Sequence, residues 1–288
     1  MYKICHTAVT LSTLLLTVMC YAGEPTGPSG SDLNGPSDRL VLSELTDFHI
    51  HLRGGMTAEL AAERTQRTGL RSGVLENVGR DWPLSDNEKL RAFLENAESV
   101  RATRQKEVTG EKKLLIGIQV NDRDWYKTMD LKLYRRLDFV LADTMIMGTD
   151  AKGQPQKLWL LPDDYDVDKD AWFERYLEHT LTVLDEPIDI LANPTYLPKF
   201  IAADYDHYWT DQAMQKVIDK AIANNVALEI QAESEFPSLR FLQLARKSGA
   251  KFSFGTNNFD ATEKNLDTWY KALNELALKK SDLWQTRR

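Results

Sequence analysis

From about residue 44 onward the chain alternates short, nearly continuous apolar runs with longer amphipathic stretches, and no other feature restricts its fold as strongly. Seven runs read as strands: 45–50, 72–75, 114–120, 139–142, 188–192, 226–230 and 252–254. Several are apolar at successive positions rather than at every second one, which suits strands covered on both faces. Between and after them lie stretches of helical periodicity at 57–68, 87–104, 170–184, 211–224, 237–247 and 261–278, with Thr57 placed to cap the first. Such alternation predicts an α/β fold built on a parallel sheet. No Gly-x-Gly-x-x-Gly turn follows the first strand, so a seven-stranded (β/α) barrel of TIM-barrel type is expected over an open dinucleotide-binding sheet.

Residues 1–22 carry Lys3, an apolar stretch from 8 to 19, and the small-residue site Cys20-Tyr21-Ala22. That is the layout of a secretory signal peptide cleaved after Ala22, and it predicts an exported protein, periplasmic or secreted. Stable membrane insertion is not expected. A spanning helix needs about 20 consecutive apolar residues, and Thr10, Ser12, Thr13 and Thr17 interrupt this one. The alternative is lipid anchoring at Cys20, for which Thr17, Val18 and Met19 are a poor context. Residues 23–43, rich in Gly, Pro and Ser, read as a flexible leader, and 44–288 as a single barrel domain. Both cysteines, Cys5 and Cys20, fall in the segment expected to be removed, so an apolar core rather than disulfides must hold the mature chain. The formal charge of −7 is spread without a basic block, which lacks the electrostatic footprint of a nucleic-acid binder. A small-molecule substrate is the expected partner.

Active sites of parallel barrels form at the C-terminal ends of the strands. The first strand ends Asp47-Phe48-His49-Ile50-His51-Leu52-Arg53. Residues two apart on a strand share a face, so His49 and His51 are expected to point into the lumen as metal ligands, with Asp47 on the same face orienting one of them. Two polar residues satisfied by hydrogen bonds are the plainer reading of the pair. Arg53 suits an anionic substrate group or, equally, a surface turn. Polar residues also close the other strands: Glu76-Asn77, Gln119 with Asn121, Asp143, Asn193, Glu229 with Gln231, and Thr256-Asn257-Asn258. A carboxylate at a barrel mouth is costly without a cation or a partner, which singles out Glu76, Asp143 and Glu229. Glu229 is the first candidate for ligand or base and Asp143 the next. Asn193 and Asn257 also read as turn formers. His179 and His207 fall on or beside amphipathic helices and read as surface residues. Residues 144–168, with Gly148, Gly153, Pro155 and Pro162, are expected to overhang the mouth as a lid. Trp82, Trp125, Trp159 and Trp209 read as pocket wall or as packing.

These strand ends resemble the polymerase and histidinol phosphatase (PHP) family of metal-dependent phosphoesterases, whose fold is a distorted seven-stranded barrel. The resemblance spans about residues 45–260. It rests on Asp47-Phe48-His49-Ile50-His51, Gly117-Ile118-Gln119-Val120-Asn121, Asp138-Phe139-Val140-Leu141-Ala142, Ile190-Leu191-Ala192-Asn193-Pro194 and Phe252-Ser253-Phe254-Gly255-Thr256-Asn257-Asn258-Phe259. The departures carry equal weight. A bridging glutamate falls on Gln119, ligand histidines on or near Met145 and on Asn193, the closing aspartate on Asn257 and the closing histidine on Phe259. Amide oxygens lack the charge that holds several divalent ions together. His49, His51 and Arg53 also resemble the His-x-His-Leu-Arg-Gly opening of some amidohydrolases, a weaker likeness.

The resemblance implies a metal-dependent hydrolase with a reduced, mononuclear site acting on a phosphoester or amide. His49, His51 and Glu229 would hold a divalent ion, with zinc, manganese and iron all open. Glu229 or Asp143 would act in catalysis, and Arg53, Gln119, Asn193 and Asn257 would hold substrate. The competing expectation is a catalytically silent barrel that binds a small ligand outside the cytoplasm.

Overall fold

The seven apolar runs become the staves of a closed barrel. The computed structural model describes residues 40–105, 114–150, 152–234, 236–260 and 262–286. The expected signal peptide, Cys5, Cys20 and nearly all of the leader lie outside the described residues.

The strands are β1 (Thr46–His51), β2 (Arg71–Leu75, resumed at Asn77–Val78), β3 (Leu115–Val120), β4 (Phe139–Ala142), β5 (Ile190–Leu191), β6 (Ala227–Gln231) and β7 (Phe252–Gly255). They run parallel in the order β2-β1-β7-β6-β5-β4-β3, and β3 pairs back onto β2 through Gly73↔Leu115 and Val74↔Ile116. The barrel is therefore closed, with no free edge. Helices α1 (Ala58–Thr68), α2 (Asn87–Gln105), α3 (Lys169–Val183), α4 (Asp211–Ala223), α5 (Leu239–Ser248) and α6 (Asp267–Glu275) accompany it.

The helix starts follow from side-chain chemistry. Thr57, Asp168, Thr210 and Ser238 each accept a hydrogen bond from a backbone N–H of the first turn of α1, α3, α4 and α5. The last helix is shorter than its periodicity predicts. Asn265 Oδ1 accepts from the Asp267 N–H, a local turn that competes with helix and delays its start to Asp267.

Two apolar layers hold the barrel. Ile50, Val74, Ile116, Val140, Leu228 and Phe254 belong to the larger core, which also takes in the buried helix faces. The other strand positions, with Phe48, Leu75, Leu115, Phe139 and Leu141, fill the lumen, and Trp284 joins them at its base. Phe48 stands edge-on to both Phe139 and Trp284, at centroid distances of 5.2 and 5.3 Å. The Phe139 ring fits because Gly117 has no side chain: a Cβ there would lie 2.5 Å from it.

The segment after β4 has structure of its own. Ile146–Thr149 and Pro155–Lys157 pair as an antiparallel hairpin, followed by the helical turn Leu158–Leu160. Leu158 is fully buried, and the Lys157 ammonium lies 4.7 Å from the Trp82 ring centroid. Both contacts anchor the hairpin against its surroundings. Trp125 and Trp209 are core residues, whereas Trp159 is exposed.

Candidate active site

One extra residue in β1 decides which side chains enter the lumen. On the β2 side Asp47 pairs with Ser72 and Ile50 with Val74, so three steps along β1 match two along β2. This is a β-bulge at Phe48-His49, and it breaks the strict alternation of faces. Phe48, His49 and His51 are thereby all accommodated on the inner side. Asp47 is not on their face, which corrects the expectation that it orients a histidine ring.

Asp47 turns outward to Arg64 of α1, whose Nη1 donates to Oδ2 at 2.8 Å. The same carboxylate accepts from Thr256 Oγ1 (2.7 Å), Thr256 N (3.0 Å) and His49 N (3.2 Å). It therefore ties the bulge to the end of β7 and to α1. Arg64 escaped the sequence reading because an arginine on an amphipathic helix reads as solvent-facing. The available signal was its place three residues after Ala61, on the buried small-residue side with Ala58, Ala61, Ala62 and Thr65.

Above the apolar lumen, four side chains from four strand ends join in one hydrogen-bonded chain. His49 Nδ1 lies 2.7 Å from Glu229 Oε1, and His49 Nε2 lies 3.2 Å from Gln119 Oε1. Gln119 Nε2 donates to Asp143 Oδ2. The outer carboxylate oxygens are also used: Glu229 Oε2 accepts from the Asn193 N–H at 3.0 Å, and Asp143 Oδ1 from the Met145 N–H at 2.9 Å. All four side chains are buried, His49 and Glu229 to within 1%. Gly255 makes this possible, because a Cβ at that position would overlap the Glu229 carboxylate and stand 2.8 Å from His49 Cβ.

Burial lowers the His49 pKa, but the neighbouring Glu229, with Asp143 and Asp47, outweighs it and the pKa is raised. Asp143 is pushed up by burial, against the hydrogen bonds from Met145 and Gln119 and the charges of His49 and Arg123. His51 goes the other way. Burial, reinforced by the charges of His49 and Arg53 and only partly offset by Glu76, lowers it to about 4. The two rings are 5.1 Å apart.

His51 belongs to a second group at the β1, β2 and β3 ends. Its Nδ1 lies 3.5 Å from Glu76 Oε1, outside hydrogen-bond geometry, and is buried without a partner. Arg53 Nη1 donates to Glu76 Oε1 (3.2 Å) and to Asn77 Oδ1 (2.9 Å), and Asn77 Nδ2 donates to Asn121 Oδ1 (2.7 Å). Burial opposes ionisation of Glu76, but His51, the Asn77 N–H and Arg53 hold its carboxyl below the usual range. The Arg53 side chain is 38% exposed, so it is the solvent-facing member of the set.

His49, Gln119, Asp143 and Glu229 meet directly, while Arg53 and His51 sit beside them around Glu76. Asn193 contributes its backbone N–H and takes a left-handed conformation at φ 47°. Asn257, half-buried at φ 50°, is not joined to the chain by a hydrogen bond. His207 is exposed as expected, but His179 is not a free surface residue. It is half-buried, its Nε2 has no partner, and burial lowers its pKa to about 4. Asn121 also lines a cavity of about 310 Å³ bordered by Arg80, Asp122, Arg123 and the hairpin. Among the described residues, no group of three or more His, Cys, Asp or Glu side chains is arranged to hold a metal ion, and no helix is long and apolar enough to cross a membrane.

No protein-family model matches the chain, and no curated protein matches it. Among solved structures, it is similar to a candidate histidinol phosphatase from Listeria monocytogenes at a TM-score of 0.55 and 12% identity, over 75% of this chain and 96% of that one. A chain of an archaeal ribonuclease P complex with mature tRNA aligns at a TM-score of 0.41 and 14% identity, over 82% of this chain and 90% of that one; this likeness is too low to support an argument. The parallel seven-stranded barrel expected from the alternation of apolar and amphipathic runs is therefore both present and shared with the solved structure of that candidate histidinol phosphatase.

Proposed function

We propose that this chain is a hydrolase acting on a small anionic substrate, a phosphoester or an amide, at the C-terminal mouth of its barrel. One observation carries the reading: side chains from four strand ends converge in the chain Glu229–His49–Gln119–Asp143 above a lumen that is otherwise apolar. A buried polar network of this kind is costly to build, and paired groups with oppositely shifted pKa values mark functional sites. The likeness to the Listeria structure agrees with a hydrolase.

A divalent cation is the cofactor that this likeness implies. The residues as arranged do not fit it. A metal-bound imidazole nitrogen needs a free lone pair, and both nitrogens of His49 already face oxygen atoms of the protein. His51 and Glu76 are close enough to share an ion, but the Arg53 guanidinium occupies the same Glu76 oxygen and opposes a second positive charge there. No step is therefore routed through a metal. In our reading Arg53 meets the anionic group of the substrate, and His51, kept neutral, takes a proton from the attacking water as its oxygen bonds to phosphorus or carbon, then gives that proton to the alcohol or amine that leaves as the P–O or C–N bond breaks. His49, kept charged by Glu229, stabilises negative charge developing on the phosphoryl or carbonyl oxygen.

Chromogenic phosphomonoesters and amides assayed with the wild type, His51→Gln and Glu229→Gln test this. Turnover that falls by about 100-fold or more in both variants supports it. Turnover unchanged in both refutes the assignment of the site. The second reading, a silent ligand-binding barrel, draws on the burial of His49, Glu229 and Asp143 and on the amides at 119, 193 and 257. Calorimetric binding of a small anion with no turnover of any substrate would select it. We further propose, from residues 1–22, that the protein works outside the cytoplasm, which cell fractionation tests.

A further inference from the structure

We propose that the site around His49 is built to hold a proton where a metal ion would otherwise sit, and that Gln119 is the residue that makes it so. An amide side chain has an oxygen that only accepts and a nitrogen that only donates, and its two orientations fill the same space. In the observed orientation Gln119 Oε1 faces His49 Nε2 and Gln119 Nε2 donates to Asp143. His49 then has acceptors on both nitrogens and carries two N–H bonds, one to the Glu229 carboxylate and one to Gln119 Oε1, while Asp143 accepts from Gln119.

In the reverse orientation Gln119 Nε2 donates to the lone pair of His49 Nε2, and Gln119 Oε1 needs a donor from Asp143. Asp143 must then be protonated. The two arrangements contain the same number of protons: one sits on His49 or on Asp143, and Glu229 accepts from His49 Nδ1–H in both. His49 Nε2 is occupied in both as well. The buried set therefore satisfies itself with a proton, and no arrangement of the existing bonds presents an imidazole lone pair to an ion. The charged groups within electrostatic reach of His49 and Asp143 agree with this count. Glu229 from β6, Asp143 after β4 and Asp47 from β1 are acidic, and His51 and Arg123 are the nearby basic groups. A carboxylate in place of Gln119 would cancel the scheme, because it could not donate to Asp143 and would add negative charge for a cation to neutralise.

Full-length protein is stripped with chelator, dialysed separately against zinc, manganese and iron(II), and analysed for metal. It retains less than about 0.1 equivalent of each. About one equivalent that is lost in His49→Ala overturns the proposal. Gln119→Glu, in contrast, gains about one equivalent, and an uptake no greater than wild type overturns the role given to Gln119. Histidine side-chain ¹⁵N spectra supply a readout that needs no metal. In the wild type neither His49 nitrogen shows the resonance of an unbonded lone pair, and in Gln119→Leu the Nε2 resonance shifts toward that position while His51 keeps its own. An unbonded His49 Nε2 in the wild type, or one unmoved by Gln119→Leu, overturns the proposal even where a variant folds poorly.

Discussion

Replacing Arg64 with methionine tests the pin that holds the bulge of β1. The substitution keeps most of the apolar stem against α1 and deletes the charge. Asp47 is left with no solvent exposure and no countercharge. Removing one partner of a buried ion pair costs about 3–5 kcal/mol. Asp47 keeps three hydrogen bonds, from Thr256 Oγ1, Thr256 N and His49 N, which places the expected loss at the low end, about 3 kcal/mol. For a domain of about 245 residues that is a drop in Tm of about 6 °C. Urea unfolding measures it as a lower midpoint with an unchanged slope. The double variant Asp47→Asn with Arg64→Met removes the orphaned charge, and should recover about 1 kcal/mol or more relative to Arg64→Met alone. A loss below about 1 kcal/mol for Arg64→Met, or no recovery in the double variant, would refute the view that Asp47 is a buried charge needing its partner.

Gly255→Ala should displace the Glu229 carboxylate from His49, read as loss of the charged His49 signature in ¹⁵N spectra with the barrel still folded by circular dichroism. Trp284→Ala, which opens the base of the lumen beside Phe48, should cost about 3–5 kcal/mol in urea unfolding. Stability should peak near pH 6.5. The folded pKa of His51 lies at about 4, so the unfolded chain binds the extra proton below pH 6.5, and up to about 3 kcal/mol is lost as pH falls toward 4. His179 adds a smaller loss of the same sign, since it is only partly buried. His49 has a raised folded pKa, so its contribution is complete below pH 6.5 and is lost as pH rises from there through the higher folded pKa. Denaturation midpoints from pH 4 to 9 that rise steadily toward acid would refute this.

The barrel was legible because its evidence is local. Each strand is a run of neighbouring apolar residues, and the Thr57 cap acts within one turn of its own helix. The candidate site was legible as a set of residue types at strand ends, but not as a set of bonds. His49 and Glu229 are far apart along the chain and meet only because the barrel closes, and nothing near either residue encodes that distance. The bulge was invisible for a different reason. Phe48-His49 contains no glycine to mark it, so strict alternation put Asp47 on the wrong face. The break in β2 at Glu76 was hidden likewise, since that carboxylate accepts the Asn77 N–H and makes a local turn inside an apolar pattern.

The pairing of Asp47 with Phe254 joins the first stave to the last across about 200 residues of chain. While the polypeptide is being synthesised, Asp47 can find Arg64 early, but Thr256 and the neighbour that seats His49, Glu229, arrive only after most of the barrel has been made. Until then the half-built sheet has open edges at β1 and at its latest strand, and its acidic groups stand in water. The hydrogen-bonded set around His49 is thus the last part of the molecule to come into being, and whatever delays β6 and β7 leaves a nearly complete barrel without it.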